Sequence, residues 1–314
     1  MNTPAGVTSR PCDESDDADW WAVRELLVRA HRAAPPGWNW DIRRWDGSRF
    51  HNEIPRLPGW FTARTRLWEQ SDGRLVGVVH PEGRGDVFLE LDPDYRHLQT
   101  AMLDWAEANL AAAVGGQDQL ELLTWDYDLP RRGLLRERGY EELQTGGWQR
   151  RLQFGEWEIA RPPATPGYRL RSTGEGTIDG DAARMAALLN AAFGRTIHSA
   201  AEYRTFATTS PSFRHDLNLV AEAADGSFAA HVGLTLDEAN SHGIVEPVCT
   251  HPGHRRHGLA QALVLDGLRR LLDLGATTCS VETGDMEPAN ALYRSIGFTE
   301  EYRGHTWRLD LRTR

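Results

Sequence analysis

The chain has 314 residues, a formal net charge of -10, and 40% hydrophobic against 25% charged residues, the make-up of a globular protein with room for two domains. Its acidity, with an isoelectric point of about 5.7, disfavours a nucleic-acid partner, because phosphate binding calls for a broad basic face. No apolar run reaches the roughly 18 residues of a membrane helix, and "MNTPAGVTSRPCDESDD" lacks the basic and then apolar stretch of a secretion signal, so a cytoplasmic protein with no membrane partner is expected.

In chain order, the first half gains its meaning from an echo in the second. "LELDPDYRHLQTAMLDWAEANL" is paralleled by "VCTHPGHRRHGLAQALVLDGLRRL", with Pro93 and Pro252 lying 159 positions apart. "RERGYEELQTGGWQRRL" (Arg136 to Leu152) is answered by "RSIGFTEEYRGHTWRLDL" (Arg294 to Leu311). Within these, Gly139-Tyr140 and Gly297-Phe298 are 158 apart, and Trp148 and Trp307 are 159 apart. A near-constant offset at three separate landmarks marks an internal repeat. Two copies of one fold are expected, residues 1–158 and 168–314, joined by a linker over 159–167 in the Pro-rich "IARPPATPGYRL".

The second copy reads as a strand over Tyr168–Ser172, a helix over Asp181–Phe193 and a helix over Ser199–Thr208. Strands Leu217–Ala224 and Phe228–Leu236 flank Asp225-Gly226, a hairpin signal. Gly243–Thr250 is a strand, and Leu259–Leu274 a helix with Ala260, Val264, Leu268 and Leu271 on one face. Thr277–Thr283 is a strand, Glu287–Ile296 a helix and Glu300–Leu311 a final strand. Strands and helices alternate around a mixed sheet, so each copy is α/β or α+β.

Between the strand and the long helix stands "THPGHRRHGLAQAL", Thr250 to Leu263. A helix amino terminus leaves N–H groups unpaired and carries partial positive charge. Gly258 lets a ligand approach the backbone, Ala260 leaves the next turn uncrowded, and Arg255 and Arg256 add charge. The combination suits a pyrophosphate, although R-x-x-G-x-A alone also fits a plain solvated turn. A P-loop and a first-strand G-x-G-x-x-G are both absent.

One strand later comes "VETGDMEPANALYRSIGF". With the Arg255–Ala260 turn and the strand "IVEPVCTHP" before it, the second copy, from about Tyr168 to Leu311, resembles the GNAT superfamily of acetyl-coenzyme A-dependent N-acetyltransferases. The resemblance implies two tandem GNAT-like domains, each a central mixed sheet flanked by helices. It implies an acyltransferase using acetyl-CoA as cosubstrate and a small-molecule amine, such as an amino sugar, amino acid derivative or polyamine, as acceptor. Backbone groups along Val248, Cys249 and Thr250 would line the pantetheine arm. The amides of Arg255, Arg256, His257, Gly258, Leu259 and Ala260 would hold the pyrophosphate. Tyr293 would protonate the departing thiolate, its ordinary pKa near 10 keeping it protonated at neutral pH. Glu246 would receive the acceptor's proton, directly or through water. Pro247 fits the family's bulged, splayed strand, since proline inside a sheet belongs at a bulge or edge. Met286 departs from the family, which often has asparagine seven residues before the tyrosine.

Plainer roles stand beside these. His251, His254 and His257 have no carboxylate or fourth ligand spaced to join them, so no metal is expected. Cys249 fits a small buried residue, and the three cysteines Cys12, Cys249 and Cys279 show no paired spacing. Tyr293 also fits a helix core, and Glu246 a solvated strand end. Eleven of the twelve tryptophans fall at or before Trp157; "WNWDIRRW" and "WDYD" could wall a ligand, but packing between the copies is the expected role. His198, Tyr203 and Phe213 lie where the family covers its acceptor pocket.

By the offset, Arg255–Ala260 maps onto Arg96–Ala101 with Gln99 for the glycine, Tyr293 onto Leu135, and Glu246 onto Phe88 or Leu89. The first copy is therefore expected to be degenerate, leaving one working site in the second. Rival readings are a non-catalytic acetyl-CoA-binding regulator, a protein N-acetyltransferase and a mycothiol-synthase-like activity; a homodimer stays open.

Overall fold

A computed structural model describes residues 6–33, 40–51, 60–83, 85–114, 117–143, 146–155 and 158–311. The first half runs β1 (Val7–Pro11), α1 (Ala18–Ala33), α2 (Ile42–Phe50), α3 (Trp60–Arg64), β2 (Arg66–Gln70), β3 (Leu75–His80) and β4 (Asp86–Leu91). A 3-10 turn over Pro93–Leu98 leads into α4 (Gln99–Asn109), followed by β5 (Ala112–Val114), β6 (Gln117–Trp125), α5 (Leu129–Glu137), β7 (Glu141–Glu142) and β8 (Trp148–Gln153). The second half repeats this order without counterparts of α3, β5 and β7: β9 (Tyr168–Ser172), α6 (Ile178–Phe193), α7 (Ala200–Thr209), β10 (Asn218–Ala223), β11 (Phe228–Asp237), β12 (His242–Thr250), a 3-10 turn over Pro252–His254, α8 (Leu259–Asp273), β13 (Thr278–Thr283), α9 (Glu287–Ile296) and β14 (Glu300–Asp310). Among the described residues, no helix is long and apolar enough to cross a membrane.

Two compact units form, Met1–Ile42 with Arg56–Trp148 and Tyr302–Arg314, and Arg43–Pro55 with Gln149–Glu301. They differ from a division at 159–167. The last strand of the chain joins the first unit, where β14 pairs antiparallel with β6 from Gly304↔Trp125 to Asp310↔Gln119. Its Trp307 and Leu309 are buried in that unit's core. From Gln149 onward β8 belongs to the second unit, as does α2 from Arg43. The stretch read as a linker is partly built in, since Ile159 is buried in the second core and accepts a bond from Arg269 Nη1 at 3.4 Å. A strand goes where an edge matches its register and apolar face, and chain proximity does not override that.

In the first unit the sheet order is β1-β2-β3-β4-β6-β14, antiparallel except where β4 meets β6. In the second it is β8-β13-β12-β11-β10-β9, with β12 and β13 parallel and β9 to β12 antiparallel. These are mixed sheets flanked by helices, the α/β architecture expected of each copy. Helix α6 starts a turn before Asp181 because the Thr177 hydroxyl accepts the Gly180 amide at 3.1 Å, capping it. Helix α7 has a capping box in which Ser199 and Glu202 satisfy each other's amides. Helix α8 buries Leu259, Leu263, Val264, Leu268 and Leu271, each contributing about 2 kcal/mol by removal from water. Ala260 sits at the margin of that face, half-buried.

Candidate functional site

Strand β12 changes partners along its length. Its first four residues pair with β13, from His242↔Thr278 to Val245↔Val281, and that pairing stops at Val245. Pairing with β11 continues to Thr250, through a register shift at which Glu246 and Pro247 together oppose Gly233. This is the bulge that proline inside a strand calls for, and the Glu246-Pro247 peptide is cis. A Cβ on Gly233 would lie 2.6 Å from the Glu246 carbonyl oxygen and 2.9 Å from Pro247 Cδ. Gly233→Ala is therefore expected to cost about 2 kcal/mol of stability, read as a lower denaturant midpoint. An unchanged midpoint would mean that the bulge is soft.

Beyond the bulge the strand's peptide groups alternate sides. The His251 amide bonds the Ala229 carbonyl at 2.8 Å, so Cys249, two residues earlier, also faces β11. Val248 and Thr250 turn their N–H and C=O groups the other way, toward the edge that β13 has left. Side chains alternate as well: Val248 packs against the core that holds α8 and α9, and Cys249 is buried among α6 and α7 residues. Glu246 is exposed.

The strand ends in an irregular turn. Arg255 is extended, Arg256 is left-handed at φ +70° and Gly258 is left-handed at φ +74°. Left-handed backbone is unusual for arginine. Helix α8 starts directly after Gly258 with no side chain capping it. A Cβ on Gly258 would meet nothing within 4 Å, so the space outside it is open. Arg255, Arg256, His257 and Gly258 are exposed, Leu259 is buried and Ala260 is half-buried. The turn's histidines have local work. His251 accepts the Gly253 amide at 3.1 Å. His254 Nδ1 lies 3.0 Å from the Tyr168 hydroxyl, and the His257 ring is 5.7 Å from the Tyr168 ring.

Tyr293, on α9, is buried at 4% exposure in the core against which Val248 packs. Its ring meets Phe298 edge-on at 5.8 Å, and burial raises its pKa above the phenol value. Met286, at the departure from the family pattern, is the amino-terminal flank of α9. The loop before it is held by Asn290, whose Nδ2 donates to the Gly284 and Met286 carbonyls, each at 3.1 Å. Asn290 Oδ1 in turn accepts from Arg150 Nε at 3.0 Å, and Arg150 also pairs with Glu301. An asparagine thus orders this loop from within the helix, supported by an arginine from β8.

All three cysteines are free and buried. Burial pushes the Cys12 and Cys249 thiols up to about 12 and raises Cys279 further, which leaves almost no thiolate for covalent chemistry at neutral pH. Iodoacetamide at pH 8 is expected to alkylate them only after unfolding, as mass spectrometry would show. Rapid native labelling of Cys249 would revive a nucleophilic role.

The equivalent turn in the first unit is closed. Leu98, before α4, is right-handed, and no left-handed residue precedes the helix. Gln99 is buried and accepts from Arg131 Nε at 2.9 Å, so its side chain turns inward. Arg96 is drawn to Asp128 at 2.7 Å. Leu135, Phe88 and Leu89 are buried apolar residues, with neither an acid nor a carboxylate at the mapped positions.

Of the other candidates, Tyr203 is buried on α7 and meets Phe213 edge-on at 6.1 Å. His198 approaches Glu202 and His51, neighbours that sequence reading missed because His51 lies in the other half of the chain. Trp20, Trp40, Trp45, Trp68, Trp125 and Trp307 are buried; Trp38 and Trp157 lie outside the described residues.

Residues 183–298 match the family model described as "Acetyltransferase (GNAT) family". No curated protein matches the sequence. Among solved structures, a GCN5-related N-acetyltransferase from Sphaerobacter thermophilus superposes with a TM-score of 0.64 at 18% identity, over 98% of this chain and 97% of that one. A tandem GNAT protein from the clavulanic acid biosynthesis pathway gives 0.66 at 19% identity, over 97% and 98%. Saccharomyces cerevisiae N-myristoyltransferase, solved with myristoyl-CoA, gives 0.56 at 12% identity, over 99% and 80%. At these identities the likeness to solved structures is one of fold.

Proposed function

We infer that this chain, a protein of the GNAT superfamily in its tandem form, transfers an acetyl group from acetyl-CoA directly to a primary amine of a small molecule, at its carboxy-terminal copy. One observation carries the reading: the strand edge freed after Val245 runs straight into a turn whose left-handed residues and uncapped helix start leave amide donors unclaimed. The open edge suits an amide-bearing arm, to which Val248 and Thr250 offer strand-like bonds. The turn suits a diphosphate, with the first amides of α8 as donors and Arg255 and Arg256 as counter-charges. The open space at Gly258 fits a group that must meet backbone.

Acetyl-CoA would supply an activated thioester. The Val248 N–H would stabilise negative charge growing on the carbonyl oxygen. Glu246, directly or through water, would take the proton from the amine as its nitrogen bonds the acetyl carbon. Tyr293 would give its hydroxyl proton to the sulfur as the carbon–sulfur bond breaks. Holding both partners in one cleft supplies proximity, and the buried thiol of Cys249 leaves direct transfer as the simpler route.

Thiol release by the full chain, screened with acetyl-CoA against amino sugars, amino acid derivatives, polyamines and lysine peptides, tests this reading. It is expected to show turnover with a subset of small amines. Turnover on peptides alone would make it a protein acetyltransferase. Coenzyme A binding without any turnover would make it a regulator, and no binding by calorimetry would end the reading. Longer acyl-CoAs in the same screen would read the acyl length.

A further inference from the structure

A second cluster lies in the same compact unit and plays no part in the reaction above. His51 follows α2, His198 stands two residues before α7, and Glu202 is in the first turn of α7. Among the described residues this is a group of histidine, cysteine or carboxylate side chains with metal-ligating potential: one ligand atom from each lies within 4.8 Å of the others. His51 Nδ1 pairs with Glu202 Oε1, and His198 Nδ1 lies 3.4 Å from Glu202 Oε2. The side chains of His198 and Glu202 are 2% and 8% exposed, so the group is withdrawn from solvent.

We propose that His51, His198 and Glu202 bind one divalent transition-metal ion of the zinc type, leaving a fourth position for water. A charge-assisted N–H to carboxylate bond spans about 2.7–2.9 Å; the His198–Glu202 separation of 3.4 Å exceeds it, whereas His51 and Glu202 are in direct contact and would move apart to admit the ion. Two ligands on one tetrahedral ion, with bonds of roughly 2.0–2.1 Å, stand about 3.4 Å apart. Two imidazole nitrogens and one carboxylate oxygen are a donor set suited to zinc. The segments that carry the three side chains are held in place. Asn190 clamps the His198 backbone through two bonds, His198 N to Oδ1 and Nδ2 to the His198 carbonyl, both 3.0 Å. Phe206 stacks on His51 with ring centroids 4.9 Å apart and planes at 27°, and the Arg43 guanidinium lies 4.5 Å from the Phe206 ring centre. Glu202 is fixed by its capping box with Ser199. An ion here would tie the segment around His51 to α7.

The test uses the full, untagged chain, stripped with a chelator and titrated with zinc chloride by calorimetry and with cobalt chloride by visible absorption. One ion per chain is expected, with the cobalt bands of a four-coordinate site and a rise of several degrees in Tm on zinc addition. His198→Ala and Glu202→Gln are each expected to weaken binding at least 100-fold. Zinc X-ray absorption of the loaded wild-type chain should show nitrogen and oxygen ligands with imidazole scattering and no sulfur, which decides the matter even where a variant fails to fold. Absence of a stoichiometric ion, sulfur ligation, or unaltered binding by both folded variants would overturn the site and leave an ordinary His–Glu–His ion cluster. None of these outcomes depends on coenzyme A or an amine, so the site and the acetyl-transfer reading fail separately.

Discussion

Tyr293→Phe is expected to lower kcat at least 100-fold while coenzyme A affinity stays within about twofold. Proton transfer by a positioned acid contributes roughly 10²–10⁴ in rate, and the substitution removes the hydroxyl alone. The ring's packing is kept, including its edge-on contact with Phe298, so the variant should fold normally. Burial raises the phenol's pKa, and the sign matters. An acid whose pKa lies above its ordinary value of about 10 keeps its proton across the whole working range. The wild-type rate should therefore not fall through pH 9 to 10 on account of this group, as it would for a solvated phenol. Stopped-flow thiol release over that range, beside calorimetry of both proteins, reads each quantity. A phenylalanine variant with kcat within threefold of wild type would reduce Tyr293 to a core residue and hand the proton to water.

Much of the second copy was legible because its signals are local. The Asp225-Gly226 turn and the proline at the bulge each act within a few positions, and their elements begin and end close to where those residues place them; the Thr177 cap, which starts α6 before the expected Asp181, is a local signal left unread. The start of α8 was legible for the same reason, since Gly258 permits the left-handed backbone that ends the turn. The left-handed Arg256 was not, as nothing local to arginine favours it. Long-range facts were invisible. The assignment of β14 to the first unit and of β8 to the second depends on which strand edges match, and a linear pattern carries no pairing partner. The His51 group shares this origin: His198 and Glu202 sit four apart, but their third member follows α2, far away in the chain. Likewise Asn290 orders the loop before α9, a role that the departure at Met286 does not reveal in the sequence.

Replacing Gly258 by aspartate should weaken coenzyme A binding at least 30-fold, whereas asparagine at the same position should weaken it only a few-fold. The comparison separates charge from backbone strain. At φ +74° most residues lose about 1–2 kcal/mol, but asparagine and aspartate tolerate the left-handed region best and nearly equally. Neither meets a clash, because a Cβ there has open space around it. The carboxylate alone then opposes a diphosphate seated on the first amides of α8. At about 8 Å and an effective dielectric near 40, each unit of ligand charge is opposed by about 1 kcal/mol, so two units give about 2 kcal/mol, or roughly 30-fold. A repulsion of this kind is screened, so the gap between the two variants should shrink as ionic strength rises toward 1 M, where the Debye length falls to about 3 Å. Calorimetry with coenzyme A at low and high salt measures it. Equal affinities for aspartate and asparagine at low salt would place the diphosphate elsewhere, and the helix start would lose its claim on the cosubstrate.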